Sequence, residues 1–158
     1  MLDFKSFADT ALHSCEELRL DENMFVADFE KLAHGHLSHV AFEALDKFCQ
    51  TTPAGPRPWN LDDALQLLDF AKPIADRYDL KPAEWKEDAF ERKFILQFAF
   101  QCKGVFNPLA AFYGGYVAQE AVKAITGKFG PTKQFFYYDA NEVLPEFDPT
   151  KHLYGEEE

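Results

Sequence analysis

Three histidines lie close together in the sequence HGHLSH, and imidazoles at such short spacing can bind zinc or copper. They are His34, His36 and His39. Only His36 and His39 would share one face of a helix. Metal-bound histidines also need carboxylate or carbonyl partners that orient their second ring nitrogens. The pattern therefore favours a polar first turn of a helix over a metal site, and a small metal-dependent enzyme is the least favoured interpretation.

A second motif, TGKFGP, invites comparison with a phosphate-binding loop. Such a loop requires a glycine five residues before its Gly-Lys pair, and a serine or threonine after the lysine. Those positions hold Val122 and Phe129. The motif also ends a helical pattern instead of preceding one. We therefore interpret Gly127 as a helix stop, with Lys123 and Lys128 beside the negative end of the helix dipole.

The cysteines and carboxylates do not suggest a catalytic centre. Cys49 and Cys102 fall on apolar stripes where burial disfavours a thiolate, and Cys15 lies in the acidic sequence SCEEL, which disfavours it as well. The three cysteines are odd in number and form no CxxC pair, so a reducing compartment is expected. Carboxylates are plentiful but scattered. The sequence thus predicts no catalytic, cofactor-binding or metal-binding residue.

The amino-acid composition of the chain limits the kinds of partner that it can bind. The chain has 158 residues, of which 47% are apolar, and it can therefore bury one sizeable core. Its net charge of −11 argues against nucleic acid and against anionic membrane surfaces, because both require a basic face. A leader sequence and an apolar run of about 20 residues are both missing, so we expect a soluble, unsecreted protein.

Helical periodicity dominates residues 25–106, where we predict a helical bundle preceded by a short strand and a polar connection over residues 1–24. The first helix should run from His34 to Gln50. Its predicted solvent face is polar and consists of Ser38, His39, Glu43, Asp46 and Lys47.

Two more helices should complete this region. The second begins after Asn60, which is placed to act as its N-cap, and should be kinked or broken near Pro73. The third runs from about Ala83 to Cys102 and becomes apolar nearly all round, which indicates burial on several sides.

A fourth helix should begin at Asn107, with Asn107 as its cap and Pro108 in its first turn, and end at Gly127. Adjacent glycines in its middle should each cost about 1 kcal/mol relative to alanine. They belong to a strip of small residues, hereafter the Gly/Ala strip, made of Ala110, Ala111, Gly114, Gly115 and Ala118. Such a strip allows a second backbone to approach closely, either inside this chain or from a partner that this chain does not contain.

After the fourth helix, the side chains of KQFFYYDA alternate enough in character to predict a strand. Residues 146–158 are predicted to form an acidic tail.

The run NPLAAFYGGYVAQEAVKAITGKFGP, followed by KQFFYYDANEVLPE, closely resembles the end of the inactive adenylation half of single-chain ubiquitin-activating enzymes. VADFEK, HLSHVAFEALDKFC and PRPWNLDDALQLL resemble the four-helix bundle inserted in that half. The similarity covers roughly residues 25–145.

The resemblance implies a mainly α fold: an antiparallel four-helix bundle, then over residues 107–145 a long helix and a strand that belong to a Rossmann-like α/β adenylation domain. It also implies a cytoplasmic and nuclear parent enzyme that uses ATP and magnesium to adenylate the C-terminus of ubiquitin. The parent takes ubiquitin as a thioester and passes it to conjugating enzymes.

The chain departs from the family in having no GxGxxG-type nucleotide loop, no active adenylation half, no catalytic-cysteine domain and no ubiquitin-fold domain. We therefore expect a non-catalytic fragment whose partners are the remaining domains of the parent. The alternative is a self-sufficient helical adaptor that binds a partner helix through the Gly/Ala strip. The strand distinguishes the two, because in the first case it requires a sheet that this chain lacks.

Overall fold

A computed structural model describes residue 6 and residues 34–78, 80, 85–86, 89–132 and 135–139. In these residues the chain is mainly helical, with four helices and no β-strand: α1 His34–Thr51, α2 Leu61–Arg77, α3 Phe90–Gln101 and α4 Asn107–Thr126. Within the same ranges, no helix combines the length and the apolar character that crossing a membrane requires. Apart from Ser6, which has no regular secondary structure, the region of the strand predicted in residues 1–24 lies outside the described residues, as does the acidic tail.

The first three helices pack together around one apolar core. Its helical residues are Leu37, Val40, Ala41, Ala44 and Phe48 on α1, Ala64, Leu67, Leu68, Ala71, Ile74 and Ala75 on α2, and Phe94, Ile95, Leu96, Ala99 and Phe100 on α3. The alanines allow α1 and α2 to approach closely, and each large side chain stabilises the fold by roughly 1.5–3 kcal/mol. The apolar stripes predicted from the sequence therefore lie in the core.

α2 begins as predicted but continues through its proline. The side-chain oxygen of Asn60 accepts a hydrogen bond from the backbone N–H of Asp63 at 2.9 Å, which confirms the N-cap. Pro73 lies inside a continuous helix, so the prediction that the helix ends and restarts there is wrong. Both Pro73 and Asp69 are exposed, and water can therefore satisfy the carbonyl that the proline leaves without a donor.

α3 begins later than predicted. Instead of starting near Ala83, it starts at Phe90. Trp85 has a φ of 48°, in the left-handed region that helical residues avoid, and Ala89 is extended with ψ 134°. The apolar pattern upstream therefore includes residues that the backbone holds outside the helix.

The ends of α4 agree with the prediction only in part. Phe106, and not Asn107, occupies the N-cap position, and it makes no side-chain capping bond. The cap assigned to Asn107 is therefore wrong. Gly127 has a φ of 63° and donates its backbone N–H to the carbonyl of Lys123 at 2.9 Å, which confirms the left-handed stop.

The strand predicted in KQFFYYDA is not formed in its described part, residues 135–139, which have no regular secondary structure. A strand requires a neighbouring strand for its ladder of hydrogen bonds, and the described residues offer none. The α/β adenylation fold expected around it stays a prediction.

The polar face of α1 is also not where the sequence placed it. Ser38, His39 and Glu43 were expected to face solvent, but all three are buried. The C-terminal end of α2 and residues 135–139 cover this face and supply hydrogen-bonding partners. A buried polar side chain is tolerated when it is paired in this way.

Candidate functional site: an exposed helix face and a buried histidine network

α4 differs from the other helices because none of its residues is buried. All five residues of the Gly/Ala strip are exposed. A Cβ atom added to Gly114 or to Gly115 would meet nothing within 4 Å among the described residues. The described part of the chain thus places no backbone against the glycines, and the prediction that the strip is an interface remains a prediction.

The opposite side of α4 is covered by the segment that follows it. Tyr113 bonds through its hydroxyl group to the backbone of Tyr138, accepting from its N–H at 3.0 Å and donating to its carbonyl at 2.9 Å. Glu120 accepts from the backbone N–H of Thr132 at 2.7 Å and pairs with Lys123. With about 100° of rotation per residue, this covered face lies roughly opposite the Gly/Ala strip.

The exposed part of α4 carries no charge. Its two charged residues, Glu120 and Lys123, lie on the covered face and pair with each other. Large apolar side chains flank the Gly/Ala strip, with Val117 62% exposed and Ile125 84% exposed. Gln119 is the polar side chain on the exposed part between residues 108 and 125. A helix that meets solvent along one face is normally polar there, so this composition is typical of a helix enclosed on all sides.

Residues 135–139 lie between α4 and the three-helix unit, and their successive side chains contact the two parts in turn. Phe135 and Tyr137 pack against the apolar core. Phe136 stacks on Tyr116 with ring centroids 4.0 Å apart, and Tyr138 lies 4.4 Å from Phe112, both on α4. We call residues 135–139 the bridging segment.

A buried polar network fixes the bridging segment to α1. His39, 1% exposed, contacts the hydroxyl of Tyr137 through Nδ1 at 2.8 Å and the hydroxyl of Tyr78 through Nε2 at 3.0 Å. The Tyr78 hydroxyl donates to Glu43 Oε2 at 3.0 Å, and Arg77 pairs with Glu43 Oε1. We call these five residues the His39 network.

Burial determines the protonation behaviour of this network. Desolvation lowers the pKa of His39, although the nearby Glu43 carboxylate partly opposes the change. Burial raises the pKa of the Tyr137 hydroxyl. His39 is therefore preferentially neutral at physiological pH, and Tyr137 keeps its proton.

Comparisons of the sequence with known proteins identify the family of this chain. Residues 1–75 match the model for the ubiquitin-activating enzyme E1 four-helix bundle. The chain is 39% identical over 120 residues to ubiquitin-activating enzyme E1 1 of Triticum aestivum, covering 76% of this chain and 11% of that protein. The chain belongs to the ubiquitin-activating enzyme E1 family.

Two further E1 relatives come from distant organisms. Ubiquitin-like modifier-activating enzyme 1 of Mus musculus is 35% identical over 127 residues, covering 80% of this chain and 12% of the mouse protein. Ubiquitin-activating enzyme E1 1 of Schizosaccharomyces pombe is 36% identical over 135 residues, covering 84% of this chain and 12% of the yeast protein. The chain thus spans about an eighth or less of the E1 relatives it matches.

Among the described residues of this E1 homologue, His34 and His39 have different partners. His34 pairs with Asp139 at 2.7 Å and stacks on Phe90, whereas His39 belongs to its own network. In the part of the chain that the structure describes, no group of three or more His, Cys, Asp or Glu side chains could hold a metal ion. Burial raises the pKa of Cys102, as expected of an unreactive thiol.

The His39 network was missed by sequence reasoning. Its members are separated by 39 residues between His39 and Tyr78 and by 98 residues between His39 and Tyr137, so no local spacing reveals it. One signal was available: FFYY has four consecutive aromatic residues, and in an extended segment their side chains point alternately to two faces, both of which would then be apolar.

Proposed function

We propose that this chain is a non-catalytic structural segment of a ubiquitin-activating enzyme, comprising the helical bundle and the closing helix of the inactive adenylation half. The parent enzyme uses ATP and magnesium to adenylate the C-terminus of ubiquitin, forms a thioester, and transfers ubiquitin to conjugating enzymes in the cytoplasm and nucleus. Identity to E1 relatives over most of this chain supports the assignment.

The uncharged exposed face of α4 is the observation that carries the proposal. Burying one large apolar side chain stabilises a fold by roughly 1.5–3 kcal/mol, and this face offers several, among them Val117, Val122 and Ile125. The bare Gly/Ala strip between them allows close approach of a partner surface. In the proposed parent, the remaining adenylation domains supply that surface and α4 joins their core.

The catalytic groups are proposed to lie in those other domains. Support comes from the sequence, which has no glycine-rich nucleotide loop and holds Val122 where a phosphate-binding loop would need glycine. The role of this segment is then to hold the bundle and α4 in a fixed relation to the nucleotide-binding domains.

The second candidate is a helical adaptor that binds a partner helix through the same Gly/Ala strip. The open space around Gly114 is compatible with it. The two candidates differ in where the partner surface comes from: the same polypeptide in the enzyme segment, and a separate protein in the adaptor.

A chimera tests the enzyme-segment proposal. The 135-residue homologous segment of the Schizosaccharomyces pombe relative would be replaced by the corresponding part of this chain, and ubiquitin thioester formation would be measured with Mg-ATP. We expect the chimera to form the thioester, and a chimera carrying Gly114→Leu to be strongly impaired. Gln66→Leu, at an exposed position of α2, is the control and should have little effect. An inactive but folded chimera would contradict the proposal.

A further inference from the structure

Residues 102–106 connect α3 to α4 along the chain, and the bridging segment connects α4 to the three-helix unit through side-chain contacts. It is held on α1 at two points, by Tyr137 on His39 and by Asp139 on His34. Phe135 also lies 5.0 Å from the His39 ring, measured between centroids. A change at His39 therefore acts directly on the segment that carries α4.

The hydrogen bonds of the His39 network have one consistent direction. A tyrosine hydroxyl has a single proton, and Tyr78 donates its proton to Glu43. Tyr78 must then accept from His39, so Nε2 of His39 carries a hydrogen. In a neutral imidazole Nδ1 is then an acceptor, and it receives the hydroxyl proton of Tyr137. With the ring neutral, the network thus fixes the Nε2–H tautomer of His39.

Protonation of His39 would disrupt this order at Tyr137. Nδ1 would become a second donor, so the Tyr137 hydroxyl would have to accept from it and turn its own proton away from the ring. In the described residues, the titratable and charged groups facing His39 are His36 and Glu43 on α1, Arg77 and Tyr78 at the end of α2, and Tyr137 on the bridging segment.

The charges of these groups do not compensate a second positive charge. Glu43, the one carboxylate among them, already pairs with Arg77. Among the described groups, a buried imidazolium would therefore have to share this carboxylate with Arg77.

We propose that the His39 network is an acid-sensitive clasp, which holds the bridging segment on α1 while His39 is neutral and releases Tyr137 and Phe135 when His39 is protonated. Release frees Tyr137 and Phe135 from α1 without unfolding the core, while the pair of Asp139 with His34 still connects the bridging segment to α1. Because one proton is involved, the ratio of released to held segment changes by up to about tenfold per pH unit.

Nuclear magnetic resonance of the 158-residue chain tests the proposal. At about pH 7.5, ring ¹⁵N shifts should identify the Nε2–H tautomer of His39, and nuclear Overhauser contacts should join His39 to Phe135. On lowering the pH to about 5.3, above the isoelectric point of about 4.8, His39 should titrate with a midpoint below 6.5. Its contacts to Phe135 should vanish at the same midpoint, while those between Tyr116 and Phe136 persist.

Three variants make the test specific. His39→Gln should abolish the pH-dependent loss of contact between the bridging segment and α1, and His34→Gln, which alters the other histidine contact, should retain it. Tyr137→Phe should move the titration midpoint of His39 to higher pH, because the donor that stabilises the neutral ring is lost.

The proposal is overturned by the Nδ1–H tautomer, by a His39 that stays neutral throughout the titration, or by a protonated His39 that still contacts Phe135. Simultaneous loss of the Tyr116 to Phe136 contacts would also overturn it, because that result means general unfolding.

Discussion

Replacing Gly114 tests whether the Gly/Ala strip of α4 faces open space in this chain. Glycine in a helix interior is about 0.8–1.0 kcal/mol less favourable than alanine. An added Cβ at Gly114 meets nothing within 4 Å, so no steric cost offsets this gain. Gly114→Ala should therefore stabilise α4 by about 1 kcal/mol in this chain, and Gly114→Leu by nearly as much.

The assay is native-state hydrogen exchange of the α4 amides, because α4 buries no residue and can open without the core. A stabilisation of about 1 kcal/mol should slow exchange roughly fivefold. Gly127→Ala is the matched control. It is the same chemical change, also in open space, but at a φ of 63°, where alanine is strained by about 1–2 kcal/mol. Exchange near the end of α4 should therefore become faster in this control.

The same leucine substitution should be harmful once α4 is docked. Overpacking a closely apposed contact costs about 1–3 kcal/mol, so Gly114→Leu should impair the chimera with the yeast enzyme while stabilising the chain alone. Faster α4 exchange in the isolated Gly114→Leu chain would refute the open-strip reasoning and favour internal packing. If the leucine is harmless in both settings, close approach is wrong as an explanation of the paired glycines.

Four further outcomes are expected. Leu67→Ala should lower the free energy of unfolding by about 2–5 kcal/mol in denaturant titrations, because Leu67 is fully buried; a loss under about 1 kcal/mol would mean that the core is packed differently. Asn60→Ala should cost about 0.5–2 kcal/mol through the lost N-cap bond, and an unchanged midpoint would count against that bond. Because the pKa of His39 is lowered by burial, its contribution to the free energy of unfolding should be fully present above about pH 6.5 and lost as the pH falls through the lower folded-state pKa. A free energy of unfolding that rises on acidification, or a pH dependence that persists in His39→Gln, would be incompatible with burial of the neutral ring. Calorimetry should detect no micromolar binding of Mg-ATP, and a chelator should leave the melting temperature unchanged; a single-site isotherm, or a fall of several degrees, would revive a nucleotide or metal site.

Local features of the fold could be predicted where the signal is local. The apolar stripe of α1, the N-cap at Asn60 and the left-handed stop at Gly127 each depend on residues within one or two helical turns. The start of α3 was predicted wrongly because the helical pattern continues across Trp85. The residue type of Trp85 gives no indication of its positive φ.

Features formed across the chain could not be predicted. His39 and Glu43 look like solvent-facing polar residues until Tyr78 and Tyr137 are placed over them. The Gly/Ala strip was identified from spacing alone. The cover over the opposite face of α4, where Thr132 donates its backbone N–H to Glu120, depends on how the residues that follow α4 pack against it.

The rate of thiol labelling at position 118 tests most directly whether the bare face of α4 is an interface within a larger enzyme. Ala118→Cys would be introduced into this chain and into the chimera, and modification by a maleimide would be followed by peptide mass spectrometry, which separates position 118 from Cys15, Cys49 and Cys102. Gln66→Cys, at an exposed position of α2, serves as the control and should react at similar rates in the two proteins. We expect Cys at position 118 to react freely in the isolated chain, where Ala118 is exposed, and at least about tenfold more slowly in the active chimera, since thiol reactivity requires access. Equal rates in the two proteins would contradict the proposed docking of α4.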